Sequence, residues 1–106
     1  MEFGLNDHTL TLIRNAFKKI PAIKEVVIYG SRAMGNYKKI SDIDLALKGN
    51  ITFDTLAHIK NILEEELPVP YSFDVLNYHD LHNKDLKNHI DAHGKIFYIR
   101  ADSKSR

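Results

Sequence analysis

The chain of 106 residues contains no cysteine. That excludes disulfides, thiolate metal sites and cysteine nucleophiles at once, and it suits a reducing compartment. Long hydrophobic runs are missing too: no segment approaches the roughly 18 apolar residues that a membrane span needs. The opening stretch, MEFGLNDHTL, has no basic region followed by an apolar core, so no secretory signal is expected. These absences point to a cytoplasmic protein with no membrane partner. Neither sign of charge is in excess, since 15 Lys and Arg against 14 Asp and Glu leave a formal net charge of +1. Basic residues are not interleaved with aromatics in a stripe, and direct nucleic-acid binding is therefore not expected. With no internal repeat and no low-complexity tract, any electrostatic function must come from local clusters.

What is present suits one small domain. A length of 106 residues with 43% hydrophobic content supports a single modest core. Residues 1–100 are expected to form it, with 101–106 as a polar tail. A large ligand site is expected to draw on a partner chain, and an oligomer is compatible with this size.

Hydrophobic spacing places the elements. Leu10, Ile13, Phe17 and Ile20 recur at intervals of three and four, which predicts an amphipathic helix over about 7–19, capped by Asn6 or Asp7 and stopped by Pro21. The β-branched run 24-KEVVIYG-30 predicts a buried strand ending on glycine. One helical turn fits between Ser31 and Gly35, and the loop 36-NYKKIS-41 leads to a second strand, 42-DIDLALK-48. After the Gly49-Asn50 turn, Asp54 is expected to cap a helix whose stripe is Leu56, Ile59, Leu63 and Leu67, with Pro68 and Pro70 ending it. A third strand spans 71–77, and a last helix, about 83–93, buries Leu86 and Ile90. Gly94 falls where a left-handed cap belongs. The segment 95-KIFYI-99 reads as a final strand or a docked extension. The order α-β-α-β-α-β-α makes the class α/β or α+β, with helices packed on a small sheet.

The chemistry concentrates in 30-GSRAMGNYKKISDIDLAL-47. Side chains alternate along a strand, so Asp42 and Asp44 share a face. Two such carboxylates repel unless a cation sits between them, and Mg²⁺ is the hard ion that takes carboxylate and phosphate oxygens. Asp74, an acid inside the otherwise apolar run 72-SFDVL-76, can complete a three-carboxylate site for two metal ions about 4 Å apart if its strand lies beside the second. Upstream, Gly30 allows close backbone approach to a phosphate, and the amides opening the next turn, with the Ser31 hydroxyl, point at it. Arg32, Lys38 and Lys39 can neutralise the remaining oxygens. A phosphate cradle beside a metal clamp implies a nucleoside triphosphate and phosphoryl or nucleotidyl transfer.

GSRAMG followed by SDIDL, with a later acid in a strand, resembles the nucleotidyltransferase fold of the DNA polymerase beta superfamily. In particular it resembles the minimal nucleotidyltransferases, whose pattern is G-S-x-A-x-G … S-D-x-D-L. The likeness extends over nearly the whole chain. It implies that Gly30 and Ser31 form the triphosphate turn and that Asp42 and Asp44 are the metal pair. Asp74 is implied as third ligand and general base. Arg32 and Gly35 also match, whereas Met34 departs from the pattern at a position where many relatives carry Arg or Lys.

Other signals are blander. Lys38 and Lys39 also suit a solvated loop; Tyr29 suits the core and Tyr37 the surface. His89 and His93 have metal-ligand spacing on a helix, but no HExxH pattern accompanies them and no zinc site is expected.

The resemblance leaves two functions. One is a Mg²⁺-dependent enzyme that moves a nucleoside monophosphate, from ATP or another nucleoside triphosphate and with AMP the first choice, onto a hydroxyl. Its implied acceptor is a tyrosine of a helical HEPN-domain RNase toxin encoded nearby, which would make this chain the antitoxin. The other is a catalytically weak nucleotide-binding module that neutralises the same partner by complex formation alone.

Overall fold

A computed structural model describes residues 1–101 of the chain. The expected tail therefore lies outside the described residues, apart from residue 101. The first helix, α1 (Asp7–Lys18), begins where Asn6 accepts the Thr9 amide at 2.8 Å, and buries Leu10, Ile13 and Phe17. Strand β1 (Ile23–Tyr29) runs into the four-residue helix α2 (Ser31–Met34). Strand β2 (Ile43–Gly49) leads to α3 (Phe53–Asn61), and β3 (Phe73–Asn77) to α4 (Lys84–His93) and β4 (Lys95–Ile99). The last segment is thus a strand.

The four strands form one mixed sheet in the order β3-β2-β1-β4. β1 is antiparallel to both β2 and β4, whereas β2 and β3 are parallel. A parallel pair needs a crossover, and α3 supplies it. Helices α1 and α3 contribute Leu10, Ile13, Phe17 and Ile59 to a core with Val26, Ile28, Leu45, Leu47 and Val75 from one face of the sheet. Each such side chain contributes roughly 1.5–3 kcal/mol when fully buried, so this face carries most of the stability. On the opposite face Val27, Tyr29 and Ala46 pack against Ile90 of α4, flanked by Leu76 and Leu86. That second layer is thin, and it holds the acids.

Three local expectations are corrected. Thr52, not Asp54, caps α3: its Oγ1 accepts the Thr55 amide at 3.1 Å, and Asp54 lies in the first turn. The stripe after Ile59 is not α-helical to its end. The helix widens into a π segment, Ile62–Glu66, closed by the Leu67 amide on the Ile62 carbonyl at 3.1 Å. Ile59 and Leu63 are fully buried, while Leu56 and Leu67 are half-buried. Gly94 is extended (φ −66°, ψ 152°) rather than left-handed. Glycine is required there for space, because a Cβ would strike the Val27 side chain and the Ile90 carbonyl.

Candidate active site

Strand pairing assembles the site. In the ladders Tyr29 stands opposite Asp44, and Asp44 opposite Asp74, so one row crosses β1, β2 and β3. Because β3 is an edge strand, Asp74 is exposed, whereas Asp44 in the sheet interior is half-buried. Asp42 falls one residue before β2 begins and is exposed. Strand alternation thus applies to Asp44 and Asp74, while Asp42 is held only by the loop.

The electrostatics follow from this packing. Burial, then the charges of Asp74 and Asp42, push the Asp44 carboxyl up to about 6, against a smaller opposing pull from Arg32. Burial, then the charges of Asp74 and Asp44, raise the Tyr29 phenol well above its usual range. The Asp44 carboxylate therefore feels both of the other acids. The three do not converge: among the described residues no three His, Cys, Asp or Glu side chains gather into a group able to hold a metal ion. The donor set still fits a hard cation, being all carboxylate oxygen with Asp44 under repulsion that a cation would relieve.

Gly30 joins the turn to the acids. Its backbone (φ 74°, ψ −154°) belongs to a region open in practice only to glycine, and a Cβ there would collide with the Asp44 carboxylate. The chain then enters α2, with the Met34 amide on the Gly30 carbonyl at 3.1 Å and the Gly35 amide on the Ser31 carbonyl at 2.9 Å. Ser31 opens this turn, half-buried, where a helix leaves its first amides without intrahelical partners. Gly35 (φ 87°) ends it in the left-handed conformation.

Arg32 does not stand as a free phosphate fork. It is 2% exposed. Its Nε and Nη2 donate to the Ser41 carbonyl at 3.1 and 2.8 Å, and Nη1 donates to that of Phe3 at 2.9 Å. The Tyr37 and Tyr71 rings lie 5.4 and 5.0 Å from the guanidinium carbon. Those contacts tie the 36–41 loop to α2 and to the start of the chain. Lys38 and Lys39 lie on that loop with exposed side chains, its backbone pinned by the Lys38 amide on Ser41 Oγ at 2.8 Å. The structure therefore brings Gly30, Ser31, Asp42, Asp44 and Asp74 to one end of strands β1, β2 and β3 and assigns Arg32 to the scaffold beside them.

One neighbour escaped sequence reasoning. His89, on α4, accepts the Gly30 amide through Nε2 at 3.2 Å. Its spacing from His93 suggested only metal ligation, and nothing local connects it to a residue 59 positions away.

The family model for "Polymerase beta, Nucleotidyltransferase" matches residues 12–103. The chain belongs to this nucleotidyltransferase family. Its members are built on the fold described above, a small mixed sheet with helices packed on it. A solved structure of a toxin–antitoxin with AMP-PNP is similar at a TM-score of 0.69 and 18% identity, covering 88% of this chain and 75% of that one. A variant of the MntA-HpeT toxin–antitoxin gives 0.65 at 18% identity, covering 92% and 76%. A nucleotidyltransferase from Sulfolobus solfataricus, itself described as putative, gives 0.53 at 19% identity, covering 87% and 78%. At such identities these likenesses speak for the fold. Among curated proteins none matches the chain. No helix among the described residues is long and apolar enough to cross a membrane.

Proposed function

We propose that this nucleotidyltransferase moves AMP from ATP onto a hydroxyl, that of a tyrosine on a helical HEPN-type toxin, and so serves as the antitoxin of a pair. The observation that carries the reading is the register of Asp44 against Asp74 with the Gly30 turn packed on Asp44. The fold's likeness to toxin–antitoxin structures, one of them with AMP-PNP, supports the choice of partner and nucleotide.

The division of labour follows from exposure. Gly30 lets the backbone approach the triphosphate, the amides that follow it and the Ser31 hydroxyl seat it, and Lys38 and Lys39 supply exposed positive charge at its rim. Asp42, Asp44 and Asp74 would hold Mg²⁺, which would supply charge neutralisation for the triphosphate and the leaving pyrophosphate. Asp74, on the open edge of the sheet, accepts the proton of the incoming hydroxyl as its oxygen attacks the α-phosphorus. An edge position lets an acceptor on a second protein reach it, whereas Asp44 is reached only through the turn.

A second reading, neutralisation by complex formation alone, draws on Arg32. With that guanidinium engaged by the main chain, the triphosphate loses a strong ligand, and binding without turnover becomes a coherent alternative.

Asp74→Asn separates the two. Removing an acid that is both general base and cation ligand is expected to cut transfer about 10²-fold or more, with a far smaller loss of affinity for ATP with Mg²⁺, since Asp42, Asp44 and the turn remain. Calorimetric titration of ATP with Mg²⁺, beside transfer of label from the α-phosphate, checks both. Full transfer by the variant would remove Asp74 from the mechanism.

A further inference from the structure

Gly30 sits in a backbone region that glycine enters freely and other residues essentially do not, so its surroundings decide which of its many conformations it keeps. The conformation is held from both sides. Towards the sheet, its Cα packs against the Asp44 carboxylate. Towards α4, its amide donates to His89 Nε2 at 3.2 Å. Because a backbone N–H occupies Nε2, the neutral ring carries its proton on Nδ1. The imidazole is itself held: it stands edge-on to Tyr29, centroids 6.2 Å apart at 77°, and lies 5.3 Å from the His93 ring. Tyr29 in turn belongs to the row that contains Asp44 and Asp74.

The bond has a directional consequence. The Tyr29–Gly30 peptide is the last rigid plane before the amides that open α2, so anchoring it, together with the Gly30 dihedrals (φ 74°, ψ −154°), sets where they point. With its N–H turned to α4, the Gly30 amide is withdrawn from the phosphate side, and the turn must offer the amides that follow. We infer that His89 is the positioning residue of the phosphate turn: a histidine on α4 that locks the Gly30 peptide and thereby aims the following amides and keeps Gly30 seated on Asp44. This rests on the nucleotide reading above for its consequence, though not for the bond itself.

The test compares wild type with His89→Leu, which fills the space without an acceptor, and His89→Gln, whose amide oxygen can take the same N–H. Ile90→Val thins the same helix's packing without touching the turn. For His89→Leu the affinity for AMP-PNP with Mg²⁺ is expected to fall about tenfold, the scale of one oriented hydrogen bond with its geometric role. His89→Gln is expected within about threefold of wild type, and Ile90→Val to lower the melting temperature with affinity unchanged. In ¹⁵N-labelled protein, a scalar coupling between the Gly30 nitrogen and His89 Nε2 is expected in wild type. Slow exchange of the Gly30 amide should survive in His89→Gln and be lost in His89→Leu. Wild-type affinity in His89→Leu, or equal losses in the Leu and Gln variants, would overturn the inference. If wild type binds no nucleotide, the nucleotide reading fails alone; the coupling and the exchange then decide the positioning, and their absence overturns it.

Discussion

Gly30→Ala is expected to lower stability by about 3 kcal/mol and to abolish nucleotide transfer. The backbone there (φ 74°, ψ −154°) costs an L-residue roughly 1–3 kcal/mol, and the new methyl group must also displace the Asp44 carboxylate it would strike. For a domain near 100 residues each kcal/mol is worth about 4–8 °C, so the melting temperature should fall by more than about 10 °C. Gly35→Ala provides the scale. Gly35 also has positive φ, 87°, but a Cβ there meets nothing within 4 Å, so only backbone strain of about 1 kcal/mol is expected. Adding Asp44→Ala to Gly30→Ala should restore part of the stability, because the two side chains would compete for one space. Equal melting temperatures for the two glycine variants would contradict this account of the turn.

The second large effect is a gain. Asp44→Asn is expected to melt several degrees above wild type at pH 7.5 in EDTA. The folded Asp44 carboxyl lies near 6, above its ordinary 3.8, through burial and then the charges of Asp74 and Asp42. A group raised in the fold contributes stability that is intact below about pH 4 and is lost as pH rises through 6. At neutral pH the ionised acid therefore opposes folding, by about 1 kcal/mol once solvent screening is allowed for. Stability given up for a functional charge is a common trade. Millimolar Mg²⁺ should raise the wild-type melting temperature at pH 7.5, do so less at pH 5, where Asp44 takes up a proton, and leave Asp44→Asn nearly unmoved. An Asn variant no more stable than wild type in EDTA would contradict the raised Asp44 carboxyl, and one that gains equally from Mg²⁺ would remove Asp44 from the proposed cation site.

Much of this site is visible along the chain because its main parts are local. Gly30 and Ser31 adjoin a β-branched run, and the apolar–acid alternation of 43–47 places Asp44 opposite the core face. Asp74 was legible as an acid in an apolar strand, but its register against Asp44 was not, since that depends on how α3 crosses over. Arg32 misled for a related reason. An arginine after a glycine-serine turn has the chemistry of a phosphate ligand, and only the folding of Phe3 and Ser41 around it turns it into a brace. His89 and β4 reach the turn and β1 from the far end of the chain, through contacts that leave no periodic trace. The π segment and extended Gly94 were hidden likewise, because packing overrode local propensity.

The central claim is that the row of acids moves a nucleotide onto a partner. ATP labelled at the α-phosphate, Mg²⁺ and a helical HEPN-type toxin as the proposed partner should be combined, with wild type next to the Asp42→Asn/Asp44→Asn double variant. The account predicts label on the partner with wild type and none with the variant. No label with wild type, from a partner that is nevertheless bound and silenced, would contradict it.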